Sequence, residues 1–561
     1  MIIRRPAALL LASAFAAAML LPVVPAFADA PPPATATQPG PAAPRLVVAI
    51  SIDQYSADLF AEYRNHFTQG FARLETGAVF PSGFQSHAAT ETCPGHSTIM
   101  TGDHPSRTGI IANNWIDQNA PREKKSVYCA EDETKTAGDP GDYVASVGHL
   151  RVPTLGDRLK MVSPKSRNVA VSGKDRAALM MGGHDTDQVW WWKDDRFVTL
   201  DGRPSDPAVE AENVAVAKVL NAPGAAFDLP QWCQSRDYAV QAGDVVVGIG
   251  RFAMTAGDKN AFRVSPRLDQ ATLELAGRLV REMKLGKGPA TDVLSISLSA
   301  NDYIGHAYGT EGSEMCIQNH ALDVELGQFF AMLDSLGIDY VVALTADHGG
   351  FDLPERQDLQ AMPMVRRADL STTPKALGQA IAAKLGIKTD GPLLYGEGVS
   401  GDYWVNASLT PEQKQAVIAE ARAELAANPE VAAVFTAAEI AAVPAPTGSP
   451  ETWSLIERAR DSFYAPRSGD FLVFLKRDIV TIPKPGPGYV ATHGTPWDHD
   501  RRVPILFWRK GIMNFEQPNP VETVDIAPTL AALIGLDVKP GEMDGRCLDI
   551  DGGPGTTCTV K

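Results

Sequence analysis

The sequence has no C-x-x-C pair, no zinc-ribbon spacing among its cysteines, no internal repeat and little basic charge. Each absence removes a class of protein. Without close cysteine pairs there is no thiolate metal ribbon or dithiol redox motif, and without a repeat there is no stacked array. Only 51 Lys and Arg stand against 67 Asp and Glu, a formal charge of −16, so no basic field exists to hold a nucleic acid. Beyond residue 28 no run is long and apolar enough to span a bilayer. What is present is the composition of a globular chain: 561 residues, 44% hydrophobic, 7% aromatic and 21% charged. Disordered, collagenous and coiled-coil chains are excluded.

Residues 1–28 begin with Arg4 and Arg5, continue in an apolar run from Ala7 to about Leu21, and end with Pro22, Pro25, Ala26 and Ala28. That order is a secretory signal peptide with an A-x-A site, so cleavage is expected near Ala28 and the mature chain in the periplasm or outside the cell. Its removal takes both arginines and leaves −18. Residues 29–44 are a Pro/Ala-rich linker that cannot bury a core. In an exported chain six cysteines point to disulfides. Fifteen pairings are open to them; Cys547 with Cys558 would close a short loop in the Gly-rich tail, and Cys93, Cys129, Cys233 and Cys316 stay unassigned.

Residues 46–52, 293–299 and 341–345 are rich in Val, Ile and Leu without alternating polarity, the pattern of central strands buried on both faces. Each ends in a polar cluster: Asp53, then Asn301 with Asp302, then Asp347 with His348. Helical periodicity fills 268–283 and 320–336. The alternation predicts an α/β fold, a mostly parallel central sheet with helices on both faces, and a ligand site beyond the carboxyl ends of its strands. The catalytic core is expected over 45–390, with an irregular insertion at about 200–262. It returns over 467–548, through strands at 471–475 and 503–508 and a helix at 525–534; residues 549–561 form a tail. Residues 391–466 read as a small α+β insertion or cap domain. There Thr410-Pro411-Glu412-Gln413 supplies an N-cap, a helix-opening proline and a capping-box glutamine. A helix to about Asn428, a strand at 431–435 and a helix at 450–460 follow.

Asp302 and His306 stand four residues apart, so one helical turn puts carboxylate and imidazole on the same face, as two ligands of one metal ion require. Asp347-His348-Gly349-Gly350 follows another strand, and its glycines permit the sharp turn that lets adjacent side chains converge. His493 lies in a glycine-flanked loop. With Asp53 these make three carboxylates and three imidazoles at the strand ends of one sheet, a set that fits two zinc ions with open positions. Calcium or magnesium would prefer all-oxygen shells. In Glu91-Thr92-Cys93-Pro94-Gly95-His96 a turn opens a helix, which sets Thr92 where free N–H groups and the dipole favour an anion. A threonine hydroxyl is a poor nucleophile until a base or metal lowers its pKa.

In the order Asp53, TCPGH, GIIANNW (109–115), GKDR (173–176), DYIGH, ADHGG and THGT, the chain resembles the alkaline phosphatase superfamily. Within it the pattern is that of the PafA/PhoK-type alkaline phosphatases, which use a threonine nucleophile. The resemblance covers roughly 46–536 and implies an alkaline-phosphatase-like core. It also implies two zinc ions per chain, small phosphate monoesters as substrates and inorganic phosphate as product. Carried over by residue, Asp302, His306 and His493 hold one zinc, and Asp53, Asp347 and His348 hold the other together with the Thr92 oxygen. Thr92 attacks phosphorus in line and becomes a phosphothreonine, which is then hydrolysed. Asn113 donates to a phosphoryl oxygen, and Lys174 and Arg176 match the phosphate-binding cations. Two positions apart on an extended segment, they face the same side. Two zinc ions, three Asp, an ionised Thr92, Lys174 and Arg176 together carry about +2, which complements a monoester dianion. The second ester group of a diester would crowd the two cations.

Three rivals set the alternatives. The nucleotide pyrophosphatase/phosphodiesterase branch shares the threonine, asparagine and zinc ligands but generally lacks the Lys-x-Arg pair. Arylsulfatases use a C-x-P-x-R motif, whereas Pro94 directly follows Cys93 here. A secreted zinc- or phosphate-binding protein without turnover is the third. His87, His96 and His104 are expected to pack or cap, and Trp190-Trp191-Trp192 to form a strand of a hairpin. Asp549 and Asp551 are candidates for a structural calcium, although the full calcium-loop pattern is absent. A monomer with no nucleic-acid binding and no stable membrane span is expected.

Overall fold

Every side chain of Leu46–Ile52 (β1) is buried, because the strand lies in the middle of a sheet covered on both faces. The computed structural model describes residues 42–135, 143–553 and 555–558; the expected signal peptide and most of the linker lie outside the described residues. The unit described starts at Ala43. Its main sheet also contains Ala78–Phe84 (β2), Asn168–Ser172 (β3), Gln188–Lys193 (β4), Arg196–Val198 (β5), Asp292–Leu298 (β6), Tyr340–Thr345 (β7) and Arg502–Arg509 (β8). The order is β2-β8-β7-β1-β6-β3-β4-β5, with two short strands on the β2 edge. From β7 through β4 the neighbours are parallel, whereas β8 runs antiparallel between β7 and β2. The three tryptophans occupy β4, which forms an antiparallel hairpin with β5.

Side chains alternate across a strand, and β1 feeds two separate cores. Leu46, Val48, Ile50 and Ile52 join Leu275 and Leu279 of helix Pro266–Met283 and Leu322 and Leu326 of helix Ser313–Ser335. Val47 and Ala49 face Ile99, Met100, Ile526 and Leu530, from helices Thr92–Thr101 and Ile526–Leu533. Each fully buried aliphatic side chain stabilises the fold by about 2 kcal/mol. Among the described residues no helix is long and apolar enough to cross a membrane.

Three expectations about elements are corrected. Within 200–262, Asp206 caps a 14-residue helix, Pro207–Leu220, which buries Val209, Val216 and Leu220 in the main core; the Asp-Pro start was hidden among the surrounding Gly, Pro and Asp. Strand Phe471–Leu475 does not rejoin the main sheet but pairs antiparallel with Gly401–Val405 and Val431–Thr436. It completes a four-stranded sheet with Leu394–Tyr395, so the chain re-enters the main sheet only at β8. The helix expected at 450–460 is a 3₁₀ turn, Pro450–Thr452, followed by helix Leu455–Ser462, because Ser454 and Glu457 open a new capping box.

Helices Pro374–Leu385 and Pro411–Ala427 cover one face of the small sheet through Leu377, Ile381, Val417 and Leu425. Leu472 and Phe474 on its other face pack with Ala88, four residues before Thr92. Cys547 and Cys558 are bonded, as expected, and the remaining pairs are Cys93–Cys129 and Cys233–Cys316.

His104 ties three distant segments together, with Nε2 3.2 Å from Glu522 and 3.7 Å from Asp461, and Nδ1 3.2 Å from Asp544. Burial opposes its charge, but Asp461, Asp544 and Glu522 outweigh burial and hold its pKa well above the usual value. Asp544 and Glu522 are correspondingly held low, against burial. A raised histidine pKa contributes stability that is complete below the unfolded value of about 6.5 and disappears as pH rises through the folded value. Depressed carboxylates contribute above about pH 4 and lose that contribution on acidification. His104→Gln is therefore expected to cost about 3 kcal/mol near pH 6, and less at alkaline pH. Unfolding of both proteins across pH checks this; a deficit independent of pH would contradict it.

Candidate active site

The parallel strands β7, β1, β6 and β3 are adjacent, so their carboxyl ends deliver candidate residues in a row. Asp347 and His348 follow β7, Asp53 follows β1, and Asp302 and His306 lie on helix Ala300–Tyr308 after β6. Lys174 and Arg176 follow β3, not on the extended segment expected: Lys174 is the N-cap of helix Asp175–Gly182 and Arg176 lies in its first turn. β8 is antiparallel, which puts the loop before it, with His493, at the same edge. The Asn301 side-chain amide donates to the carbonyls of Asp53 and Gln54, both at 3.0 Å, and ties the β1 end to this helix.

The ligand-type atoms of Asp302, His306 and His493 lie within 4.8 Å of one another, as do those of Asp53, Asp347 and His348. Each imidazole turns Nδ1 to a backbone carbonyl: His306 to Ala491, His493 to Thr90 and His348 to Gly349, all at 2.8 Å. That leaves Nε2 facing the carboxylates, 3.3 Å from Asp302 Oδ1 for His306, 3.4 Å for His493, and 3.3 Å from Asp347 Oδ2 for His348. Backbone N–H groups of Gln54 and His348 hold Asp347 Oδ1 at 3.1 and 3.0 Å. This is how metal-binding side chains are oriented from behind.

The donor set passes a direct test of fit to divalent ions. Asp53 Oδ1, Asp302 Oδ1, Asp347 Oδ2 and His348 Nε2 are buried without a hydrogen-bond partner, which is costly unless a cation completes them. Burial, reinforced by Asp347, pushes the Asp53 carboxyl well above its usual range. Burial acts the same way on Asp302, but His306, Lys174 and His493 outweigh it and hold that carboxyl low. Burial drives His306 down to about 4 and His348 to about 3, so both are neutral at neutral pH with a free lone pair. Lys174 Nζ sits between the groups, 2.5 Å from Asp302 Oδ2 and 2.6 Å from Asp53 Oδ2.

Thr92 begins helix Thr92–Thr101 after Glu91, its N-cap, and is buried. The helix lies directly on the β7 end: a Cβ on Gly95 would collide with the Asp347 carbonyl, so glycine is required there. Arg176 Nη2 is 3.4 Å from Thr92 Oγ1. Asn113 Oδ1 accepts from the Cys93 N–H at 2.8 Å, which leaves the amide NH₂ as a donor, and Glu91 Oε2 accepts from the Asn113 N–H at 2.6 Å. Of the three histidines expected to pack or cap, His96 has Nδ1 3.1 Å from Asp347 Oδ2 and 2.9 Å from the Thr92 carbonyl. It packs directly behind the second ligand group.

Residues 47–496 match the family model described as type I phosphodiesterase / nucleotide pyrophosphatase. The chain is 56% identical over 518 residues to alkaline phosphatase PhoK of a Sphingomonas species, covering 92% of each chain. It is 49% identical over 520 residues to alkaline phosphatase PhoD of Zymomonas mobilis, covering 92% of this chain and 90% of that one. The crystal structure of wild-type alkaline phosphatase PafA superposes with a TM-score of 0.78 at 25% identity, over 91% of this chain and 99% of that one. The chain belongs to the PhoK/PafA-type alkaline phosphatases. The expected core fold is thereby established, and the matched family model spans diesterases as well.

Some contacts of this PhoK/PafA-type site escaped the sequence reading. Tyr128 OH donates to Asp175 Oδ1 at 2.8 Å, Tyr143 OH donates to Asp175 Oδ2, and Arg176 Nη1 reaches Tyr128 OH at 3.4 Å. The disulfide Cys93–Cys129 anchors the residue beside Tyr128 to the residue beside Thr92. No spacing in the sequence signals these partners; that of Thr92 and His96, four residues apart on one helix, signals only the His96 contact. The carboxylates of Asp549 and Asp551 accept backbone N–H groups of Asp551, Thr557 and Gly553, and among the described residues they join no group of three candidate ligands.

Proposed function

We propose that the protein is an exported zinc-dependent alkaline phosphatase that hydrolyses small phosphate monoesters through a phosphothreonine at Thr92. The observation that carries the reading is Arg176 Nη2 beside Thr92 Oγ1, at the edge where two Asp/His groups converge. The family membership supports the reaction class. Export follows from the signal peptide read in residues 1–28, and the small four-stranded sheet over Ala88 acts as a cap.

Asp302, His306 and His493 would hold one zinc and Asp53, Asp347 and His348 the other. Bound zinc supplies Lewis-acid chemistry, neutralising developing negative charge and acidifying a nearby hydroxyl or water. Thr92 Oγ1 attacks phosphorus and the ester oxygen leaves; water then cleaves the phosphothreonine. The Asn113 amide donates to a phosphoryl oxygen, its orientation fixed by the Cys93 N–H. Arg176 and Lys174 bind the remaining charge, and preorganised donors of this kind stabilise charge as it develops. Lys174 spans Asp53 and Asp302, so it also balances the ligand charge between the two groups.

Monoester preference distinguishes this reading from a diesterase. We expect a higher kcat/KM for nitrophenyl phosphate than for bis-nitrophenyl phosphate. Removing both cations, in K174A/R176A, is expected to lower monoester kcat/KM by about 100-fold or more and the diester value much less. Faster diester turnover by the wild-type enzyme would overturn the proposal.

A further inference from the structure

A cleft of about 600 Å³ opens beside Lys174 and Arg176, within the range of small-molecule sites. Its wall also carries Lys193, Lys259, Arg263 and Tyr303. Tyr303 neighbours Asp302 on helix Ala300–Tyr308, so the cleft adjoins the first ligand group. Lys174 Nζ lies 5.0 Å from the Tyr303 ring centre and the Arg263 guanidinium carbon 4.7 Å from it; the two cations are thus at most about 10 Å apart.

The charge balance of this wall differs from that of the molecule. The chain carries −16, yet five cationic side chains line the cleft; Lys174 is held by Asp53 and Asp302, and the other four stand against the carboxylates of Asp175 and Asp194. Asp175 is committed to the hydroxyls of Tyr128 and Tyr143. Lys259 pairs with Asp195 at 2.8 Å, whereas Arg263 donates to the neutral Asn260 Oδ1 at 2.9 Å. Among the described residues neither Arg263 nor Lys193 has a carboxylate in ion-pair contact. Exposed cations concentrated in a concave surface focus an attractive field for anions.

We propose that this cleft is a subsite for a second phosphoryl group carried on the leaving-group side of the substrate, so that small organic bisphosphates are preferred over the corresponding monophosphates. The inference rests on the monoesterase reading above. Lys174 and Arg176 engage the phosphoryl group that is transferred, and Arg263 and Lys193 engage the one that remains on the alcohol. No extra chemical step is added.

The test compares kcat/KM for hexanediol monophosphate and hexanediol bisphosphate at low and high salt, in the wild type and in R263Q/K193Q. Two scissile groups give the bisphosphate a statistical advantage of about two. The wild-type ratio is expected to exceed that advantage by about threefold for each exposed cation, and to fall toward it at high salt. In R263Q/K193Q the ratio is expected to fall toward the statistical value at low salt as well. A wild-type ratio at the statistical value, or one the double variant leaves unchanged, overturns the subsite while monophosphate turnover upholds the monoesterase. A wild-type enzyme that turns over neither compound overturns both.

Discussion

Thr92→Ala is expected to lower phosphomonoester turnover on the order of 1000-fold or more while the protein retains its metal. The substitution removes one hydroxyl and one methyl from the first position of helix Thr92–Thr101. It leaves both Asp/His groups complete, because each already contributes three side chains. Folding should also survive, since the helix is held by Ile99 and Met100 in the core and by the close seating of Gly95 on Asp347. Thr92→Ser keeps the nucleophilic oxygen and is expected to recover much of the activity. Metal analysis beside the kinetics separates a lost nucleophile from a lost site; full activity in T92A would remove Thr92 from the mechanism.

Chelation should be as severe. Removing divalent metal is expected to abolish turnover, and zinc is expected to restore it and to raise Tm, because a ligand that binds only the folded state stabilises it. The physical reason is that each of the buried carboxylates in the two ligand groups keeps an oxygen without a hydrogen-bond partner. Asp302→Ala sharpens the test. Asp302 Oδ1 faces the Nε2 atoms of both His306 and His493, so its loss is expected to lower the bound metal relative to the wild type and to eliminate activity. Activity that persists once the metal is gone would contradict the assignment.

The legible part of this protein was the part written in single strands and short spacings. Uniformly apolar 46–52, 293–299 and 341–345 announced central strands, and the residue after each was necessarily at one edge. That logic alone brings Asp53, Asp302, His306, Asp347 and His348 to one edge of the sheet. Thr92 stands out by its place at a turn that opens a helix, but Asn113, Lys174 and Arg176 are recognisable only through the ordered motifs, because an asparagine or a lysine beside a turn has no distinctive spacing of its own. What stayed hidden depends on pairing between distant segments. Nothing in Phe471–Leu475 says that it joins the small sheet, since any buried strand reads alike. Asp175 looks like an ordinary first-turn acid until Tyr128 and Tyr143 fold over it. Cys93 and Cys129 lie 36 residues apart, a separation that selects no partner among six cysteines.

The central claim is that phosphorus passes through Thr92. Quenching the enzyme in acid during turnover of a phosphomonoester, then mapping phosphate onto peptides by mass spectrometry, tests it most directly. Phosphate on Thr92, absent from T92A and chased away by further turnover, is the expected result; an active enzyme that never carries phosphate at Thr92 would contradict the account.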